Sequence, residues 1–169
     1  MPVDSYTFLP RLIAAFYQMV EVESELPIPW TSLSRPLPES KFGLVTSGGL
    51  FHKSHEPPFD LERERFEPTW GDPTYRSIPS SIQQKEIGVS HLHTNPRWAE
   101  SDFNILLPIN RLQELVEQGQ VGALAEHQFS FMGYQGYPPD TTAWRAVYSP
   151  QVARKFLSEG VNCVLLTPS

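Results

Sequence analysis

Two histidines two residues apart, a serine followed by a glycine pair, and one lone cysteine are the features of this chain with most chemistry to offer. His91 and His93 lie in the run 87–93 (IGVSHLH). On a strand that spacing puts both rings on one face, about 7 Å apart. Ligation of a metal would need a third group, for which Asp102 or His127 could be recruited. Such a pair more often hydrogen-bonds within the fold or meets a substrate carboxylate, and no metal is expected. Ser47-Gly48-Gly49 follows a short apolar run, so its backbone N–H groups could meet a carboxylate or phosphate. The plainer use of the glycines is a tight turn that needs a positive φ. The run is neither a dinucleotide fingerprint nor a phosphate-binding loop with its lysine.

Other polar residues divide between site and scaffold. Asp102 and Asn104 precede a helix, where their short side chains can cap the loop or meet a substrate. Arg111, near the start of that helix and off its apolar stripe, could clamp a carboxylate or pair with Glu114 or Asp102 at the surface. His52 and His55 flank a long loop's Lys53 and are expected to be solvated, while His127 and Ser130 flank an apolar segment and read as satisfied core groups. Cys163 lies within the last apolar run and is expected to pack as a small hydrophobe. No Ser–His–Asp order or nucleophile elbow points to a hydrolase.

Regular elements must hold these groups in place. Residues 5–20 space Leu12, Ala15, Phe16 and Met19 on one stripe of an amphipathic helix. Pro27, Pro29, Pro36 and Pro38 make 21–41 an extended connector. A buried strand over 42–46 runs into Ser47. The stretch 51–81, rich in proline, glycine and charge, reads as a long loop of the kind that is usually functional. Residues 87–93 give a second strand and Asn95-Pro96 a turn. The clearest helix is 108–118, with Ile109, Leu112, Leu115 and Val116 buried and Gly119 at its end. Residues 121–124 and 128–132 are short apolar pieces. Ser149 as N-cap and Pro150 in the first turn open a helix with Val152, Phe156 and Leu157 inward, closed by Gly160. A near-continuous apolar strand, 161–166, follows. The pattern predicts an α/β domain over 42–169, built on a three-layer, mostly parallel, Rossmann-like sheet. An N-terminal helix and Pro-rich connector, 1–41, precede it.

Composition narrows the classes. The chain has 169 residues, 40% hydrophobic and 19% charged, which suits one folded domain rather than a disordered tail. Thirteen Lys and Arg against nineteen Asp and Glu leave a formal charge of −6, the wrong sign for a phosphate-backbone binder. No apolar stretch approaches a membrane span, and Asp4, Pro10 and Arg11 interrupt the order of a secretory signal. Neither nucleic acid nor membrane is an expected partner. A single cysteine excludes an intramolecular disulfide and a Cys-rich zinc site, so a reducing cytoplasm is expected. Seventeen prolines are too many for an all-helical bundle.

The sequence stops at Thr167-Pro168-Ser169, at the carboxyl end of the last strand, with no crossover to cover that strand's other face. Two readings stand: an edge strand with a short tail, or a domain whose C-terminal crossover is missing. A set of ordered motifs bears on the choice: Gly43-Leu44-Val45-Thr46-Ser47-Gly48-Gly49; Gly71-Asp72-Pro73 with Arg76; Val89-Ser90-His91-Leu92-His93. Further on come Asp102-Phe103-Asn104, Pro108-Ile109-Asn110-Arg111-Leu112, Gly122 with Leu124, His127, Ser130-Phe131-Met132-Gly133, and Gly160-Val161 with Leu165-Leu166-Thr167-Pro168. In that order they resemble the selenoprotein B family of glycine, sarcosine and betaine reductases, with its relative D-proline reductase, over about residues 42–168.

The resemblance implies a reductive-cleavage enzyme acting on a small amine or amino-acid-like substrate. In such reductases a selenocysteine, or a cysteine in its place, follows a strand ending in a Leu-Leu-Thr-Pro-like segment. That position falls directly after Ser169, and we expect a product read only as far as a UGA codon, without the redox residue. Cys163 does not replace it. A selenol is largely ionised at neutral pH and would suit a strand-to-helix turn near a helix N-terminus. Reductive cleavage delivers protons to a leaving group, which makes His91 the candidate acid or substrate-orienting residue. Ser47, Gly48, Gly49, His93, Asp102, Asn104 and Arg111 are the substrate-binding candidates. Expected partners are a thiol reductant, subunits of a reductase complex and a second copy of the chain, because an uncovered last strand exposes an apolar face. No cofactor is expected in this chain; the resemblance puts a pyruvoyl group on a partner subunit in the better-known members. The competing readings are a non-catalytic substrate-binding or assembly domain lacking the redox residue, and a metalloenzyme using His91 and His93.

Overall fold

A computed structural model describes residues 31–92 and 95–168, together with Arg11 and Ala15. The chain divides into two units, Met1–Ser32 and Leu33–Ser169. In the first, Arg11 and Ala15 are helical and exposed, so Ala15 is not part of a buried stripe; the rest of the expected 5–20 helix lies outside the described residues.

The second unit is built around β1 (Lys41–Thr46), which a short 3-10 turn, Leu37–Glu39, leads into. Along one edge β1 pairs in parallel with β7 (Cys163–Thr167), in register from Phe42 opposite Cys163 to Thr46 opposite Thr167. Along the other edge it pairs first with β5 (Ala123–Leu124) and then with β6 (His127–Phe131), again in parallel. β3 (Tyr75–Pro79) adds to β6 antiparallel, so the sheet is mixed and mostly parallel. β2 (Leu50–His52) and β4 (Ile87–Val89) form a separate antiparallel ribbon. The helices are short: α1 (Leu61–Phe66), α2 (Pro96–Ser101), α3 (Ile109–Glu117) and α4 (Ser149–Ser158). No helix among the described residues is long and apolar enough to cross a membrane.

Alternation along β1 sends neighbouring residues to opposite faces. Leu44 joins a core with Ile78, Phe103, Ile109 and Leu112, against which Phe42, Leu115 and Val116 pack. Val45 packs on a second cluster of Phe129, Phe131, Val152 and Phe156. Glycine is required at position 43, because a Cβ there would overlap the Phe156 ring. The break between β5 and β6 leaves the Leu44 N–H facing no ladder carbonyl. Fully buried Gln128 fills the gap: its Oε1 accepts from Leu44 N (2.5 Å), and its Nε2 donates to Ser80 Oγ (2.7 Å) and Ala125 O (3.0 Å).

Several expected elements take another form. The stretch 51–81 is not one loop, since it holds part of β2, all of α1 and all of β3. β3 escapes a hydrophobic reading because its inward residues are Arg76 and Ile78, and α1 because it is mostly charge, with Glu64 buried. His52 is not solvated: it ends β2, buried, with its ring 4.2 Å from that of His55. The second strand stops at Val89, so the shared-face argument for His91 and His93 does not hold, and His93 lies outside the described residues. Asn95 caps α2, its Oδ1 accepting from Arg97 N at 3.1 Å.

Ser149 is not an N-cap, because Tyr148 and Ser149 already have helical dihedrals. The helix runs back through a π turn, Trp144–Tyr148, to Thr142, whose N–H donates to Asp140 Oδ1 at 2.9 Å. Pro150 accounts for the π turn: it has no N–H to give the α ladder and lies inside the helix. Leu157, expected inward, is 72% exposed. β7 is not buried on both faces either; it is an edge strand, with Val164, Leu165 and Leu166 exposed by 45%, 40% and 68%.

Candidate functional site

β1, β6 and β7 run parallel and finish at the same end of the sheet. Loops leaving the carboxyl ends of parallel strands splay apart, and ligands collect in the crevice between them. Here a cleft of about 400 Å³ opens between Val45, Thr46 and Ser47 after β1, Phe131 and Gly133 after β6, and Leu166, Thr167 and Pro168 after β7; Trp144 and Ser149 wall it from the helical side. None of these side chains is charged. The rim is tied across the strands: Thr46 Oγ1 donates to Thr167 O (3.0 Å) and Thr167 Oγ1 to Leu106 O (2.7 Å).

Ser47-Gly48-Gly49 is the exit of β1. Gly49 has φ +65°, and a Cβ there would overlap the Ser90 carbonyl, so turn and close approach both require glycine. The N–H groups of the run are already committed: Ser47 N to Thr167 O (3.4 Å), Gly48 N to Thr46 Oγ1 (3.1 Å) and Gly49 N to Phe131 O (2.9 Å). What the run presents to the cleft is Ser47. His91 stands beside this turn, 8% exposed, next to Ser90, whose N–H donates to Gly49 O at 2.8 Å; it does not line the cleft.

The remaining candidates serve the entry to α3. Asp102 Oδ1 accepts from Asn104 Nδ2 (2.7 Å) and Asn104 N (3.0 Å), and these bonds hold the Asp102 carboxyl below the usual carboxylate range. Asn104 Oδ1 accepts from Asn110 N (2.9 Å) in the first turn of α3, and Arg111 pairs with exposed Glu114 at 3.0 Å. None of the three lines the cleft. Among the described residues no group of three His, Cys, Asp or Glu could hold a metal ion. Cys163 sits at the amino end of β7, far along the strand from Thr167, and burial pushes its thiol up.

The loop after β6 is buttressed from the long 53–74 segment. Gln135 Nε2 donates to Asp72 O (2.9 Å) and Met132 O (3.0 Å), and Gly71 lies so close to Tyr134 and Gln135 that no Cβ fits. Arg76 fixes the segment in turn, bonding Pro57 O (2.7 Å), Pro58 O (3.1 Å) and the Asp72 carboxylate (3.4 Å). The motif Gly71-Asp72-Pro73 with Arg76 thus supports the cleft wall.

Trp144 is the wall residue that sequence reasoning passed over. A signal was present: Trp144, Tyr148, Val152 and Phe156 recur every fourth residue and join one core cluster. Reading Pro150 as the start of the helix cuts that stripe in two.

The family model described as glycine/sarcosine/betaine reductase selenoprotein B matches residues 16–169. D-proline reductase subunit gamma of Acetoanaerobium sticklandii is 30% identical over 152 residues, covering 86% of this chain and 58% of its own length. Glycine reductase complex component B subunit gamma of Carboxydothermus hydrogenoformans is 24% identical over 150 residues, 85% of this chain and 33% of that protein. Betaine reductase complex component B subunit beta of Peptoclostridium acidaminophilum is 24% identical over 156 residues, 87% of this chain and 33% of that protein. The chain therefore spans between a third and three fifths of the curated relatives it matches. No solved structure matches it.

Proposed function

The chain belongs to the glycine/sarcosine/betaine reductase selenoprotein B family, and from that premise we propose that it is a component of a reductase complex. In this reading the cleft at the carboxyl ends of β1, β6 and β7 holds a small amine or amino-acid-like substrate for reductive C–N cleavage. The observation that carries it is the cleft's position. Thr167 and Pro168 line its mouth, and they belong to the Leu-Leu-Thr-Pro segment after which the family resemblance puts the redox residue. A selenocysteine or cysteine there would supply the reducing nucleophile. The names of the relatives put D-proline, glycine and betaine among the substrates to try. The two core clusters that β1 feeds from opposite faces support a three-layer, Rossmann-like reading of the unit.

Cleavage breaks a C–N bond, takes two electrons from a thiol reductant, and places one proton on the departing nitrogen and one on the carbon. This chain's part is to bind, orient and exclude water. Val45, Phe131, Trp144 and Leu166 give the cleft apolar walls, and Ser47 and Ser149 give it hydroxyls. We assign His91, buried beside the Ser47–Gly49 turn and outside the cleft lining, to orienting the substrate by holding that turn.

The test is to sequence the gene past codon 169 and express what it encodes with its partner subunits. An in-frame UGA or cysteine codon is expected, with thiol-dependent release of the amine or opened product from glycine, betaine or D-proline. His91→Gln is expected to raise KM about tenfold while kcat stays within about threefold. An ordinary stop with no continuing frame would favour the non-catalytic binding domain instead.

A further inference from the structure

We propose that the indole N–H of Trp144 is the hydrogen-bond donor that fixes a carboxylate-type oxygen of the cleft's occupant, which makes Trp144 a specificity-determining residue; this rests on reading the cleft as the substrate site. Trp144 lines the cleft, yet its Nε1 is closed to solvent and has no acceptor among the described residues. A buried indole N–H nearly always finds a partner, because an unmade bond forfeits what water would have supplied.

The hydroxyl hydrogens of Thr46 and Thr167 go to Thr167 O and Leu106 O, and the backbone N–H groups of 47–49 go to protein oxygens. With no charged side chain in the lining, an entering carboxylate meets no cation there, and beside the Ser47 and Ser149 hydroxyls the indole is the donor whose hydrogen bond is unmade. The ring is held edge-on against Phe131, with centroids 5.5 Å apart at 69°, and its carrier is the π turn Trp144–Tyr148. Such turns recur at functional sites. Because Nε1 is closed to solvent in this structure, the proposal requires the indole edge to turn toward the cleft when the acceptor binds.

The chain contains four tryptophans, so 15N labelling gives four indole resonances, and Trp144→Phe identifies one. The labelled protein is titrated with sodium formate, glycine, betaine and D-proline, with affinities measured by calorimetry. A saturable downfield displacement of the Trp144 resonance is expected, together with about tenfold weaker binding of the same probe to Trp144→Phe, whose phenyl keeps the contact with Phe131. Binding with the resonance unmoved, equal affinity in the variant, or no displacement by any of the four probes overturns the proposal. If Trp144→Phe does not fold, Trp30→Phe, Trp70→Phe and Trp98→Phe assign the other three resonances, and the titration then decides on the fourth. Displacement by these probes without thiol-dependent turnover in the assembled complex would support Trp144 as the donor while removing the reductase reading, so the two failures are distinct.

Discussion

Arg76 carries a charge in a nearly sealed site, and all five of its N–H groups have acceptors: Pro57 O, Pro58 O, Thr74 Oγ1, Tyr75 O and the Asp72 carboxylate. Its guanidinium also lies 4.1 Å over the Phe59 ring. A planar fork meets that set; a lysine ammonium, with three donors at one point, does not. Arg76→Lys is therefore expected to lower stability by about 1–3 kcal/mol, the range for leaving buried acceptors without their donor. Urea unfolding reads this directly, and a loss under about 1 kcal/mol would show that the network is dispensable. The loss should also loosen the loop at Gln135 that walls the cleft, because Asp72 is the shared partner. Nothing in the sequence reveals this role. Hydrophobic periodicity counts an arginine as outward, so a buried cation erases the very strand that contains it. Asp102 and Asn104 were more legible, since short polar side chains before a helix are caps by default, and capping is what their bonds do.

At the scale of elements, the end of α4 is tied to the start of β6 through Glu159. Burial alone would raise its carboxyl, but hydrogen bonds from the His127 ring (3.0 Å), Glu126 N (2.6 Å) and His127 N (3.4 Å), with the charge of His127, bring it below the usual carboxylate range. A carboxyl depressed on folding stabilises the fold above its unfolded value, and that contribution fades as the pH falls through the folded one. Glu159→Gln is thus expected to lower Tm by roughly 1–3 °C near neutrality, with the gap closing in acid below the carboxylate range. A gap that persists unchanged in acid would trace the effect to packing rather than charge. The helices on either side of β6 were legible because their apolar stripes end at Gly119 and Gly160, which have φ +70° and +75° and open space where a Cβ would sit. The β5–β6 break was not legible, because the side chain of Gln128 does there what a ladder carbonyl does elsewhere.

At the scale of the whole molecule, the described residues expose a run of apolar side chains along β7. Leu165 points to one face, Val164 and Leu166 to the other, and Leu157 of α4 and Val147 of the π turn are also exposed. In sequence, 161–166 reads as a strand buried on both sides; the same residues form the sheet's edge, because β7 pairs with β1 and with no other strand among the described residues. Periodicity cannot separate these cases, since a buried central strand and an uncovered apolar edge share one composition. An edge that offers both unpaired backbone groups and leucines is a template for another strand. The protein alone is therefore expected to self-associate, with a weight-average mass in sedimentation that rises with concentration. Leu165→Lys should weaken that association about tenfold, because a lysine on an edge strand must desolvate to pair, and it leaves the cleft residue Leu166 in place. A mass that stays at 19.2 kDa at every concentration would sink the prediction and return β7 to the role of a solvated edge.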